Sequence, residues 1–296
     1  MDSTLFLQLC VDALAVGGLY ALVALGLGVI FSVMRLANFA HAELVTCGGY
    51  ALFLLSDWPP YVALPLGLLV AVLAAILTER VAFRPLRKAD QTTMLIASFT
   101  VSVFIQRLLI FVAGSRPKPV DPLPGINAPI DLGGIDISGQ RLITILVCLG
   151  CLLGLRWLLL RTSIGLHMRA AAEDFSMSQL VGVRANEVII AAFVISGALA
   201  GVVAVLYTAE TGFVHPRFGV QIVLVGFVAT VIGGMGSLPG AVLGGFLVGG
   251  LTTLLQAFLP AGLREFREAF LFGVVILVLL VWPNGILSAR SMKERV

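Results

Sequence analysis

Nine apolar runs dominate the chain and leave it few ways to fold. They cover roughly 8–34, 40–56, 60–78, 93–114, 141–160, 187–208, 219–235, 240–259 and 268–288. Runs of about 20 apolar residues suit helices that cross a ~30 Å hydrocarbon layer. The alternating ten-residue segments of a membrane barrel are absent. Charged residues make up only 12% of the 296 positions, against roughly 25% in a soluble domain. Too little polar surface remains to face water all round. The expected architecture is therefore an all-α, polytopic transmembrane bundle. It would be a single domain over 1–296 with about 8–9 membrane segments, one or more of them broken or half helices.

Charge asymmetry orients these segments. Arg80, Arg84, Arg87 and Lys88 share one short loop, Arg161, Arg169 and Arg184 another, and Arg290, Lys293 and Arg295 lie at the C-terminus. The positive-inside rule puts all three clusters on the cytoplasmic face. Even numbers of segments separate them, which agrees. The first basic residue is Arg35, with Asp2 and Asp12 before it. The N-terminus is therefore expected outside, and it lacks the basic n-region of a cleavable signal. Residues 115–140 then form an external loop, in which "PIDLGGIDI" suits a small hairpin with Gly-Gly as its turn.

Polar residues inside the apolar runs carry the functional signal. The stretch "SVMRLANFAHAELVTCGGY" places Arg35, Asn38, His41 and Glu43 between two such runs. An ionised side chain facing lipid at mid-membrane costs roughly 2.5–3.5 kcal/mol on insertion scales, so these groups must face protein, water or the interface. The pattern predicts two helical pieces joined by a polar connection near Leu36–His41. Either an Arg35–Glu43 ion pair locks two helices there, or the group belongs to a pathway. Ser98, Ser102 and Gln106 recur at i, i+4 and i+8 and form one polar stripe. Such a stripe either lines a water-filled route or makes interhelical hydrogen bonds.

The loop 161–186, "RTSIGLHMRAAAEDFSMSQLVGVRAN", reads as a short amphipathic helix on the inner face. Thr162 or Ser163 would cap it, Met168, Ala172 and Phe175 would form its apolar side, and Gly182 would end it. Glu173 and Asp174 at its centre argue against anionic lipid as its target and favour a groove on a partner protein. Glycines at four-residue spacing mark close helix packing: Gly197 with Gly201, and Gly236, Gly240 and Gly244. Such a seam is either static or a sliding surface. Cys148-x-x-Cys151 reads as two small hydrophobes or as a redox or metal pair.

Several chemistries have no support. No phosphate-binding Gly-x-x-x-x-Gly-Lys-Ser/Thr, zinc-type spacing or hydrolase motif occurs. No metal site, no catalytic residue and no nucleic-acid partner is expected.

Four blocks together resemble one family. They are "GLYALVALGLGVIFSVMRLANFAHAELVTCGGY", "AAAEDFSMSQLVGVRANEVIIAAFVISGALAGVVAVL", "ATVIGGMGSLPGAVLGG" and "LVLLVWPNGILS". In order, and over essentially the whole chain, they are similar to permeases of high-affinity branched-chain amino acid ABC importers (the LivH type). The resemblance implies a non-enzymatic subunit of a bacterial inner membrane. It implies a second homologous permease, two cytoplasmic ATPase subunits that bind ATP and Mg, and an external binding protein that delivers substrate. Relatives accept amides or urea. It also implies that Ala170, Ala171, Ala172, Glu173, Asp174, Phe175, Ser178, Leu180 and Gly182 contact an ATPase. Asn38-Phe39-Ala40-His41 matches the family's motif near the membrane break, with Ala42 where relatives carry Gly and Glu43 keeping the acid. Arg107 is unusual where relatives are neutral. Asn38, His41, Glu43, Ser98, Ser102 and Gln106 are the expected pathway residues. The rival reading from the residues alone is an ion-coupled transporter or channel built on Arg35 and Glu43. A second rival is an assembly subunit with no pathway.

Overall fold

The computed structural model describes residues 3–87, 89–126, 129–131 and 136–287. Each of the nine apolar runs coincides with a helix. These are α1 (Ser3–Met34), α2 (His41–Leu54), α3 (Pro60–Thr78), α4 (Gln91–Ala113) and α5 (Gly139–Arg161). Two helices of the loop follow, α6 (Ser163–Glu173) and α7 (Phe175–Leu180). Then come α8 (Ala185–Thr211), α9 (Phe218–Gly233), α10 (Leu238–Phe258) and α11 (Arg267–Val281). Among the described residues six helices are long and apolar enough to cross a membrane: α1, α3 with its π-helical extension to Phe83, α4, α5, α8 and α10. The other three are short. The 14 residues of α2 rise only ~21 Å at 1.5 Å per residue.

α1 is the axis of the bundle. It is apolar on every side, which suits a helix enclosed by others. α10 runs antiparallel along it, and α8, α9 and α5 cover the rest. Glycines set how closely these helices approach. A Cβ on Gly249 would lie 2.3 Å from the Gly17 Cα, and one on Gly245 would lie 2.4 Å from the Ala21 Cα. The α9–α10 pair is as tight: a Cβ on Gly244 would fall 1.9 Å from the Ala229 carbonyl, and one on Gly240 would fall 2.3 Å from that of Gly233. Gly197 and Gly201 do the same for α8 against Ala75 and Leu68 of α3. Gly236 is not part of the helical stripe. It lies in the turn before α10 with φ +86°, a conformation open to glycine without cost.

Contacts sort the loops to two ends. At one end Arg87 of the α3–α4 loop bonds to the buried Glu79 carboxylate and to Asn186, at the start of α8. Asp90 caps α4 there. Hydrogen bonds from the Thr93 hydroxyl and amide hold its carboxyl below the usual carboxylate range. At the opposite end β1 (Lys118–Pro119) pairs antiparallel with β4 (Phe213–Val214). The expected hairpin strands are present as β2 (Pro129–Asp131) and β3 (Asp136–Ser138), in antiparallel register Ile130 to Ile137. Its Gly-Gly turn lies outside the described residues, as does the basic C-terminal cluster.

Candidate functional site: a polar network beside a central cavity

The connection between α1 and α2 builds the site. α1 ends at Met34, and Arg35 follows in the left-handed region at φ 55°. That conformation costs an L-residue on the order of 1–2 kcal/mol. The chain then re-enters the bundle. Asn38 starts the next helix: its Oδ1 accepts from the Ala40 amide at 3.1 Å, and its carbonyl accepts from the His41 amide at 3.2 Å. This local turn is a favoured use of asparagine. Phe39 between them stacks on Phe99 of α4, with centroids 4.3 Å apart, and leans on Phe227 of α9.

Glu43, in the first turn of α2, is fully buried. Its Oε1 accepts from Ser102 Oγ and from Gln106 Nε2, each at 2.8 Å. The predicted stripe on α4 therefore meets the predicted acid on α2. Ser98, the third member, accepts from the Phe39 amide at 3.4 Å and donates to the Leu95 carbonyl. The Arg35–Glu43 ion pair is not formed: Glu43 is held by α4, while the Arg35 guanidinium donates to the Ala172 carbonyl at 2.8 Å.

His41 lies elsewhere. Its Nδ1 is 3.0 Å from Ser196 Oγ on α8, and its ring fills the space above Gly26 of α1. It ties α1, α2 and α8 together and does not line the cavity.

The cavity, about 330 Å³, lies between the break, α4 and α9. Asn38, Ser102 and Gln106 form its polar wall, and Phe39, Phe99 and Phe227 part of its apolar wall. That volume is within the ~300–1,000 Å³ of small-molecule sites. Two buried atoms beside it lack a partner among the described residues, Asn38 Nδ2 and Glu43 Oε2. One is a donor and the other an acceptor, and leaving either unmatched in a buried site is costly. A larger groove of about 630 Å³ along α11 is lined by Leu263, Phe266 and Phe270 and offers no such groups.

The loop between α5 and α8 folds as two helices where one was expected. Thr162 caps α6, accepting from the Gly165 amide at 3.1 Å. Asp174 then caps α7, accepting from the Met177 amide at 2.9 Å, and this second start breaks the helix. Gly182 ends the unit at φ +94°. Met168 and Ala171 are buried, and Phe175 packs partly against the core. The exposed apolar tip is Met177, Leu180 and Val181, with Leu180 81% exposed. Arg107 lies on the exposed face of α4. Cys148 packs on Gly18, and both cysteines of the Cys148-x-x-Cys151 pair are free thiols.

Sequence reading missed Ser196, Gly26 and the Glu79–Arg87–Asn186 cluster. Ser196 sits one residue before the glycine pair that drew attention to α8, and nothing in one sequence pairs it with His41.

A multi-pass helical membrane protein with a mainly apolar pocket bordered by a polar network is the class that these features define. Within it, the chain belongs to the family of branched-chain amino acid transport system permease components, whose model matches residues 9–279. Among curated relatives, the high-affinity branched-chain amino acid transport system permease protein BraD of Pseudomonas aeruginosa is 35% identical, over 98% of each chain. The corresponding protein LivH of Salmonella typhimurium is 31% identical, over 98% of this chain and 97% of that one. A solved chain described as an inward-facing metal-chelate type ABC transporter overlaps with TM-score 0.43 at 18% identity, covering 92% of this chain and 86% of that one.

Proposed function

We propose that this chain is one permease half of an ATP-driven importer for branched-chain amino acids, and that the central cavity is a station on the substrate route. The observation that carries this reading is the cavity wall. It sets an unmatched amide donor, Asn38 Nδ2, near aromatic rings, and its Ser102 and Gln106 hold Glu43, whose Oε2 is unmatched among the described residues. A zwitterion with an apolar side chain supplies the complement of each: carboxylate to the amide, ammonium to the carboxylate, and aliphatic groups to the rings.

Family membership and the two ends of the bundle support the remaining parts of this reading. The end with α6 and α7 faces the cytoplasm, and its apolar tip docks on an ATPase subunit that binds ATP and Mg. A second homologous permease completes the pathway, and an external binding protein delivers substrate. At the outer end a cavity of about 420 Å³, lined by Asp12, Arg141, Glu210 and Gln256, gives the substrate a polar entrance.

The test is uptake of radiolabelled leucine by proteoliposomes holding the whole complex. Leucine is expected to accumulate on ATP hydrolysis without a proton gradient. Transport of amides or urea in place of leucine would move the substrate assignment, and uptake that needs the gradient would overturn the mechanism. Leu180→Asp is expected to abolish substrate-stimulated hydrolysis while the chain still inserts, because it puts a charge on the docking tip.

A further inference from the structure

The cavity walls have no covalent tie to the α6–α7 loop. They are built from the break at 37–39, α1, α2, α4 and α9, whereas the loop is attached to α5 and α8. Packing of α8 on α1 and α2 gives a displacement of the loop one indirect route to them, and a direct polar link gives a second.

Arg35 supplies the direct link. Its guanidinium donates to the carbonyl of Ala172, in the last turn of α6, at 2.8 Å. Helix C-termini carry partial negative charge and unsatisfied carbonyls, so a guanidinium holds well there. The Arg35 carbonyl accepts from the Gln91 side chain, at the start of α4, at 2.5 Å. The Arg35 amide closes the end of α1 by donating to Phe31 at 2.8 Å. Three residues further on is Asn38, in the cavity wall, and Leu36 between them is fully buried, which stiffens the connection. One residue thus joins the ends of α1 and α6, the start of α4 and the polar break. A side chain that only closed the end of α1 would not need to reach α6. The left-handed backbone at Arg35 fits a residue kept for its side chain, since glycine would make the same turn without strain.

We propose that Arg35 is a positioning residue that passes displacement of the α6–α7 loop to the cavity wall formed by Asn38 and α4. This rests on the reading that an ATPase drives the loop.

The decisive substitution is Arg35→Gly in the complete reconstituted complex. Glycine keeps the turn and removes the strut. Uptake per ATP hydrolysed is expected to fall about tenfold or more, the scale of an ordinary coupling between sites. ATPase subunits should co-purify in full, and basal hydrolysis should be unchanged. Arg35→Lys, which keeps a cationic donor, should restore part of the coupling. A second measurement follows the wall itself. A cysteine at position 37, in a chain lacking its four native cysteines, should change its labelling rate when ATP is trapped on the ATPases. Arg35→Gly should remove that change. Normal uptake and an intact labelling response in Arg35→Gly would overturn the proposal and leave the reading of the loop standing. No ATP-dependent response at position 37 in the parent, together with normal coupling in Leu180→Asp, would bring down that reading and this proposal with it.

Discussion

A carboxylate with no exposed surface must be matched atom by atom, and Glu43 is half matched within the chain. Ser102 and Gln106 satisfy Oε1, and Oε2 has no hydrogen-bond partner among the described residues. Gln106→Leu removes one donor and leaves the acceptor buried, which costs roughly 1–3 kcal/mol. Thermal unfolding of the detergent-solubilised protein should show the loss, and leucine uptake should fall with it. Glu43→Gln should be the milder change, since the amide still accepts at one oxygen and carries no charge. If Gln106→Leu were as stable as the parent, the bond between α4 and Glu43 would not matter to the fold. The stripe of Ser98, Ser102 and Gln106 was legible because helical spacing alone puts the three on one face. Its meeting with Glu43 was not, because the partners are 59 and 63 residues away from Glu43 and only packing fixes which helix faces the stripe. His41 shows the same limit. Its residue type suggested a pathway, while its surroundings, Gly26 and Ser196, come from helices that a local pattern cannot bring together.

At the scale of elements, small residues decide where backbones touch. Gly249 and Gly250 are neighbours in sequence with opposite surroundings. A Cβ on Gly249 would collide with the Gly17 backbone of α1, whereas one on Gly250 would meet nothing within 4 Å. Gly249→Leu should therefore separate α10 from α1 and lose the folded protein, read as aggregation on size-exclusion chromatography. Gly250→Leu should be tolerated, since its side chain projects into open space. Equal behaviour of the two would mean that the α1–α10 seam is not close-packed. Four-residue spacing revealed that seams exist but not their partners, and it ran one step too far into Gly236, where the chain turns. The α6–α7 loop departs from its sequence pattern for a related reason. Its caps were visible at Thr162 and Gly182, but Asp174, taken as part of one helix, starts a second. An aspartate that can bond to the amide three residues on competes with helix continuation. The new start turns Phe175 inward and leaves Leu180 at the tip.

The whole molecule is polarised, and this is its most easily checked property. Arg80 lies in the π-helical end of α3 and Arg84 and Arg87 in the loop that follows, and Arg87 reaches Asn186 beside Arg184, so two basic clusters distant in sequence share one end. The opposite end holds the short β1–β4 pair and the Asp12–Arg141 ion pair. Loops with excess arginine resist translocation, so the function proposed above has the first end in the cytoplasm. Single cysteines test this in a chain freed of its native four. At Val181, 80% exposed on the loop tip, a cysteine should react with a membrane-impermeant maleimide only after spheroplasts are opened. At Lys118, in the strand pair, it should react in intact spheroplasts. The reverse result would place the α6–α7 tip outside, beyond reach of any cytoplasmic ATPase, and the proposed drive through Arg35 would fail with it. Co-expression adds a second expectation at this scale: if the tip docks on an ATPase, bound partner should shield the cysteine at 181, and Leu180→Asp should remove the shielding.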